Sequence, residues 1–211
     1  MHNTIDKTHE RFLYLKEKGY YPKSIVDIGA NLGQFHNLVK SIYPDSKVLS
    51  VEGNPECEKQ LRYNNPNYLI TLLGSEKTTK TFYVNKNDAT CTGASIYKET
   101  TEFYDDCNEF TLPMTTLDSL QQTFDLIKID VQGAELDILK GGVKTIVDCD
   151  FILVELSINK YNDGAPSADE VIVFLSNLGF QINDIFSHFY FNNTLTQIDI
   201  LFINTLKKLG L

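Results

Sequence analysis

Asp27 and Glu52 are carboxylates at the ends of two short apolar runs, and a glycine-bearing turn lies between them. The first run is Ser24-Ile25-Val26-Asp27-Ile28, continued by Gly29-Ala30-Asn31-Leu32-Gly33. The second, Lys47-Val48-Leu49-Ser50-Val51-Glu52, ends nineteen residues after Gly33. Strand, turn, helix and strand in that order form a βαβ unit, which binds its ligand outside the carboxyl ends of the strands. The turn indicates which ligand. A dinucleotide site wants Gly-x-Gly-x-x-Gly, whose middle glycine lets bare backbone approach a pyrophosphate at a helix N-terminus. Here the pattern is Asp-x-Gly-x-Asn-x-Gly. Asn31 puts a side chain where the pyrophosphate would sit, and Asp27 would repel it. S-adenosylmethionine carries an ammonium and a sulfonium and no phosphate, so a carboxylate at Asp27 attracts it, directly or through water. Asn31 also tolerates the left-handed backbone of a tight turn while offering its amide to the ligand. Glu52 can accept both ribose hydroxyls, which adenosylmethionine and NAD share, so it does not by itself separate the two.

A second group of charges lies in Phe124-Asp125-Leu126-Ile127-Lys128-Ile129-Asp130. Lys128 and Asp130 are two apart, so on a strand they share a face while Ile127 and Ile129 point to the other. An unpaired ion in a buried strand is costly, so the two are expected to pair with each other or with a neighbour such as Glu135. For Lys128 a structural ion pair and a catalytic role both stay open. Asp130 ends its strand beside the cofactor crevice, where a group reaches both the methionine end of the cofactor and an acceptor. Methyl transfer is an in-line displacement, so the protein has to align nucleophile, methyl and sulfur. An alcohol acceptor must also lose a proton. Asp130 can take it as general base, or orient the hydroxyl together with Glu155, which ends the next strand. Alternatively the two carboxylates hold a divalent cation that lowers the hydroxyl's pKa. His188, in an expected loop, is a spare base, and His36 reads as a surface or packing residue.

These groups need a parallel α/β scaffold. With 211 residues the chain fits one α/β domain, 23–211, preceded by a helical extension, 1–22, whose amphipathic helix runs from Lys7 to Lys18. A helix over Gln34 to Ile42 follows the first strand. Tyr68 to Leu73 reads as a third strand ending at Gly74-Ser75, which places Gly74 and Ser75 among the cofactor-binding candidates. Thr81 to Val84 is an additional strand, and Cys91-Thr92-Gly93-Ala94-Ser95 a flexible segment bordering the site. Thr116 to Leu120 is a small helical link into the fourth strand. Gly133 to Lys140 is a helix closed by Gly141-Gly142, and Phe151 to Glu155 the fifth strand. Ser167 and Glu170 form a capping box opening a helix that Leu178-Gly179 terminates. Phe180 to Phe186 and Gln197 to Asn204 are two final strands, joined by a longer loop with His188 and Asn192-Asn193. The expected fold is Rossmann-like, a mostly parallel seven-stranded sheet with an antiparallel last strand and helices on both faces.

The formal charge is −9 and the pI about 4.9, which opposes the phosphate-neutralising surface of a nucleic-acid binder. No run of about 18 apolar residues can span a bilayer and no secretion signal opens the chain, so a cytoplasmic protein is expected. Cys57, Cys91, Cys107 and Cys149 are scattered, as reduced structural thiols are, and no zinc spacing is present.

The motifs resemble the FkbM-type family of S-adenosylmethionine-dependent methyltransferases. The matching pieces are Val26 to Gly33, Glu52-Gly53-Asn54-Pro55, Thr116 to Leu120, Lys128-Ile129-Asp130-Val131-Gln132-Gly133-Ala134-Glu135, Leu139-Lys140-Gly141 and Val154-Glu155. The block from Lys128 to Glu135 is the specific one. The resemblance implies a Rossmann-like sheet with a reversed last strand and O-methylation of hydroxyls on sugars or natural products. It also implies cofactor contacts at Asp27, Gly29, Asn31, Gly33 and Glu52, extending to Gly53 and Asn54, with Asp130 near the methionine end or the acceptor. Gly53 replaces the proline that often follows the ribose-binding Glu, and Glu76 to Glu109 match only loosely. Two other readings of the sequence are a non-catalytic adenosylmethionine-binding module and a nicotinamide oxidoreductase, the latter opposed by Asp27 and Asn31. DNA-base methylation lacks its Asn/Asp-Pro-Pro-aromatic segment after the fourth strand.

Overall fold

A computed structural model describes residues 2–87, 90, 92–159 and 161–207. The chain opens with a strand, β1 (His2–Asp6), and a helix, α1 (Thr8–Glu17). Then follow β2 (Ser24–Ile28), α2 (Gln34–Ile42), β3 (Lys47–Glu52), α3 (Glu58–Asn64) and β4 (Tyr68–Ile70). Three short pieces, β5 (Leu72–Leu73), β6 (Thr78–Asn85) and β7 (Cys107–Thr115), build a small sheet of their own in the order β5-β7-β6. The chain returns to the main sheet through β8 (Leu126–Ile129), α4 (Glu135–Lys140), α5 (Val143–Val147), β9 (Phe151–Ser157), α6 (Ala168–Asn177), β10 (Phe180–Phe191) and β11 (Thr194–Asn204).

The main sheet has eight strands in the order β1-β10-β11-β9-β8-β2-β3-β4. From β9 to β4 all pairings are parallel, whereas β11 is antiparallel to β9 and to β10. The central strands are apolar on both faces because helices cover both. Val26, Ile28, Ile127, Ile129, Ile152 and Val154 face one core with α4 and α6. Ile25, Val48, Leu126 and Leu153 face a second, filled by Phe12 of α1 and by Phe35, Val39 and Ile42 of α2. The chain thus has the α/β sheet with reversed last strand that the pattern of elements predicts.

Three local expectations differ. The main sheet has one strand more than the seven expected, because His2–Asp6, inside what reads as a helical extension, pairs antiparallel with β10. The run Tyr68 to Leu73 is not one strand. It breaks at Thr71, whose N–H donates to the Glu52 carbonyl at 2.8 Å, so β4 joins the main sheet and β5 the small one. The last two strands meet in a two-residue turn, not a long loop: Asn192 and Asn193 adopt φ of 47° and 61°, the left-handed pair that a tight hairpin requires. His188 therefore lies in β10, opposite Ile198, with its ring edge-on to Tyr190. The capping box is as expected, with the Ser167 side chain accepting from the Glu170 N–H and Glu170 returning to the Ser167 N–H. No helix among the described residues is long and apolar enough to cross a membrane.

The hairpin turn gives a direct test. Asn193→Val forces a β-branched residue into the left-handed region and should lower stability by about 1–2 kcal/mol, read by urea denaturation. An unchanged midpoint would show that the turn does not hold the hairpin.

Candidate active site

The turn after β2 is built on close backbone approach. Gly29 has φ 82°, and a Cβ there would fall 1.7 Å from the Asp130 carbonyl oxygen, so no other residue fits. The N–H groups of Gly29 and Ala30 both donate to the Val51 carbonyl, which lays the turn against the end of β3. Asn31 adopts φ 46°. That bend aims its N–H at Glu52 Oε2, 2.7 Å away, and the Asn54 N–H reaches Glu52 Oε1 at the same distance. Glu52 is thus gripped at both oxygens by backbone, and each oxygen keeps a further lone pair. Burial pushes its carboxyl up, while the N–H groups of Asn54 and Asn31 pull it back toward the ionised form.

Glu52 lines a cleft of about 650 Å³, open mouth included. Gly29, Asn31, Gly53 and Asp130 line it too, and its apolar wall comes from Val51, Leu72, Leu73, Phe82, Ile96 and Val131. The small sheet supplies Leu72, Leu73 and Phe82, and Gly53 is tight against it: a Cβ there would meet the Leu72 side chain at 2.6 Å. Thr92 and Ala94 of the segment expected to border the site line the cleft, while Cys91 lies outside the described residues. Among the described lining residues the charged ones are Glu52 and Asp130. A carboxylate fixed for a diol, an apolar wall for a base and no cation for a phosphate fit an adenosyl group bearing positive charge.

Five of the expected cofactor contacts lie outside that lining. Asp27 is completely buried. It sits directly across from Lys128 on the neighbouring strand, with Lys128 Nζ 3.5 Å from its Oδ1. Gly33, at φ 91°, begins α2 and packs on Asn64. Asn54 is buried and its side chain caps the turn at Pro55 by accepting from the Glu56 N–H. Gly74 lies against Gly141, whose Cβ would come 2.0 Å from the Gly74 carbonyl oxygen, and Ser75 follows beside it.

Lys128 bridges two carboxylates. Its Nζ also reaches Asp130 Oδ2 at 3.0 Å and lies over the Phe35 ring. Burial alone would lower the Lys128 pKa, but the charges of Asp130 and Asp27 outweigh it and hold the ammonium protonated. Asp27 is raised by burial, with Lys128 pulling the other way. Glu135 does not join this pairing. Its Oε1 accepts from the Gly133 and Val131 N–H groups at 3.0 and 3.3 Å, closing the turn after β8. Burial pushes the Glu135 carboxyl up to about 7.

On the far side of Asp130 lies an open polar basin of about 1250 Å³ lined by Asn31, Thr92, Asp130, Gln132, Glu155 and Tyr161, among others. Asn31, Thr92 and Asp130 belong to both cavities. Gln132 holds φ 57°, strained for a residue with a side chain. Its amide donates to Asp130 Oδ1 at 3.1 Å and to Glu155 Oε2. Gln197 donates to Glu155 Oε2 at 3.1 Å and to the Tyr161 hydroxyl at 2.6 Å, and Tyr161 donates to Gln132 Oε1 at 3.1 Å. Asp130 and Glu155 hydrogen-bond to each other and titrate as a pair. Burial tends to raise Asp130, but Lys128 and the hydrogen bonds from Glu155 and Gln132 hold it low. Burial and the Asp130 charge drive Glu155 well above the usual range. Among the described residues no three His, Cys, Asp or Glu side chains gather to hold a metal ion. Gln132, Tyr161 and Gln197 escape sequence reasoning because they meet only through the sheet order. The one local signal was Gln132, set between Val131 and Gly133 in a turn.

Two stability predictions follow from the charges. Lys128→Met leaves two carboxylates without their cation and should cost about 3–5 kcal/mol in urea denaturation. Adding Asp27→Asn should recover part of that, and a purely additive double variant would show that the pair is not coupled. Glu135 binds more protons folded than unfolded between its ordinary 4.5 and about 7. Its contribution thus falls as pH rises through that window, and the full cost is present above it. Glu135→Gln keeps the acceptor oxygen without the charge. Its advantage over the parent should grow from none near pH 4 to at most about 3 kcal/mol at pH 8. A pH-independent difference would overturn the assignment.

The chain was compared with known proteins. The family model described as the methyltransferase FkbM domain matches residues 27–182. A curated relative, Methyltransferase 1 of Beauveria bassiana (strain ARSEF 2860), is 25% identical over 56% of this chain and 57% of its own length. Among solved structures, methyltransferase FkbM from Methylobacillus flagellatus KT superposes with a TM-score of 0.53 at 14% identity. That match covers 84% of this chain and 43% of the other. Magnesium protoporphyrin IX methyltransferase from Synechocystis PCC 6803, solved with bound SAM, gives 0.55 at 9% identity, covering 94% of this chain and 78% of that one. The chain spans about half the length of the two proteins compared first. With the family model covering most of the chain, from the carboxylate that ends β2 to the start of β10, the protein belongs to the FkbM family of S-adenosylmethionine-dependent methyltransferases.

Proposed function

We propose that this chain transfers a methyl group from S-adenosylmethionine to a hydroxyl of a saccharide or of a glycosylated small molecule. The observation that carries this reading is Asp130, whose side chain, 32% exposed, belongs to both the cofactor cleft and the polar basin. A carboxylate at that junction can touch an acceptor oxygen next to the methionine end of the cofactor. When bound, adenosylmethionine supplies a methyl carbon made electrophilic by its sulfonium. Glu52 takes the ribose hydroxyls, its pose set by the Asn31 and Asn54 N–H groups. Leu72, Leu73 and Phe82 close the apolar side and exclude water.

The amides of Gln132 and Gln197 and the Tyr161 hydroxyl offer the acceptor donors and acceptors at fixed positions, which suits a polyol. Bound in the cofactor cleft, adenosylmethionine would give up its methyl carbon to the acceptor oxygen and keep the sulfur–carbon electron pair on sulfur. The hydroxyl proton goes to the Asp130 carboxylate and from there to basin solvent. Asp130 is ionised but a weak base beside Lys128, so the proton moves late, once the oxygen has gained positive charge. Glu155 holds the Gln132 amide, which orients the hydroxyl. The net charge of −9 supports an acceptor other than nucleic acid. The scattered positions of Cys57, Cys91, Cys107 and Cys149 along the sequence support a reducing, cytoplasmic setting.

Calorimetry with S-adenosylhomocysteine and a screen of hydroxylated sugars with isotopically labelled methyl donor test this. Glu52→Ala should abolish homocysteine-product binding. Asp130→Asn should keep it while lowering kcat by about 10²–10⁴-fold. Equal turnover in Asp130→Asn would remove it as base, and tight binding without transfer to any hydroxyl would leave only a binding module.

A further inference from the structure

The polar basin does not end at Gln197. Glu99, Tyr161 and Gln197 line both it and a broad groove of about 1510 Å³ running along the β10–β11 hairpin. The groove floor is aromatic: Phe189 and Phe191 of β10 lie beside Thr194 and Thr196 of β11. The hairpin register sets Phe189 opposite Gln197 and Phe191 opposite Thr194, so the platform is continuous with the amide that touches Glu155. Phe191 is 48% exposed, a large apolar surface to leave in water. The opposite bank is fixed too. The Thr100 N–H and hydroxyl both donate to the Tyr161 carbonyl, at 2.7 and 3.0 Å, tying the 99–102 segment to the loop after β9. Glu99 and Glu102 stand on that bank, and among the described residues lining the groove no Lys, Arg or His balances them.

Resting on the methyl-transfer reading above, we propose that this groove is a second acceptor subsite. It takes the uncharged, apolar aglycone, aryl or alkyl, of the same molecule whose hydroxyl lies at Asp130. The shared residues make the two cavities one path, so a single acceptor can fill both. Its polar end meets Gln132, Glu155 and Gln197, and its apolar end covers Phe189 and Phe191. The carboxylates of Glu99 and Glu102 on that bank disfavour an anionic tail. Acceptor choice then depends on the hairpin as much as on the catalytic end. Binding energy collected at the aromatic platform helps hold the hydroxyl in place.

The test uses the full chain and matched methyl, phenyl and octyl glycosides of the same sugars, below micellar concentration, with labelled methyl donor. Phenyl and octyl glycosides should show a KM about tenfold or more below their methyl counterparts. Phe191→Ala should close most of that gap, and Phe191→Leu should restore it. Saturation-transfer NMR on protein filled with S-adenosylhomocysteine reads tail binding without turnover. Transfer that ignores the tail, or a gap that survives Phe191→Ala, overturns the subsite and leaves hydroxyl methylation standing. Tail contacts by NMR without transfer to any glycoside keep the subsite and overturn hydroxyl methylation. Dimerisation in sedimentation that Phe191→Ala abolishes would assign the groove to a second copy of the chain and overturn the proposal.

Discussion

Lys128 is the one cation among the described residues of the sheet's central charge cluster, and two carboxylates depend on it. Asp27 has no hydrogen bond beyond this ion pair and no access to water, and Asp130 owes its ionised state to it. A buried ammonium between two carboxylates in a parallel sheet is unfavourable to assemble, and strongly unfavourable to leave half-assembled. The strands must therefore stay in the register that sets Asp27 opposite Lys128. That register also fixes the turn after β2, because the Asp130 carbonyl presses on Gly29 and the Val51 carbonyl takes two of the turn's N–H groups. The cofactor cleft is a consequence of how these three strand ends are locked.

Charge is graded across the cluster in a way that suits the chemistry. Asp27 is sealed, Lys128 is nearly so, and Asp130 opens toward the basin. Farther along the sheet Glu155, pushed up by burial and by the Asp130 charge, stands opposite Asp199. Burial pushes Asp199 up to about 6, against the hydrogen bond from Ser187. Of the two carboxyls that reach Lys128, the part-exposed Asp130 is held low and the sealed Asp27 is raised by burial. The carboxyl that is held low faces the cleft and the one that is pushed up faces the basin, joined through the Gln132 amide in a single hydrogen-bonded frame.

The small sheet and the terminal hairpin each line a cavity beside the charge cluster. Leu72, Leu73 and Phe82 form the apolar side of the cofactor cleft, so the excursion from β5 to β7 is a wall added to the βαβ core. The hairpin, on the other flank, carries Gln197 to Glu155 and lines the groove beyond the basin. Both are insertions or extensions on a shared frame, which is where ligand preference is set without disturbing the strands that hold the charges.

Local pattern alone made the core legible. The periodicity of the strands, the left-handed Asn31, the capping box at Ser167 and the shared face of Lys128 and Asp130 follow from backbone geometry and neighbours a few residues apart. So does the place of Gly29, Asn31, Glu52 and Asp130 at one crevice, because parallel strands bring their carboxyl ends together. Other features were decided only by tertiary structure. Asp27 turned inward because the residue across the strand pair is Lys128, and strand order is not written in either segment. The run from Tyr68 to Leu73 split because Thr71 bonded to the Glu52 carbonyl, and β1 formed because β10 had a free edge. Gln132, Tyr161 and Gln197 became neighbours from positions 29 and 36 residues apart. A sequence records the preferences of each segment, but which segments meet is settled by the balance of burial and hydrogen bonding over the whole sheet, and it is at those meetings that the polar basin forms.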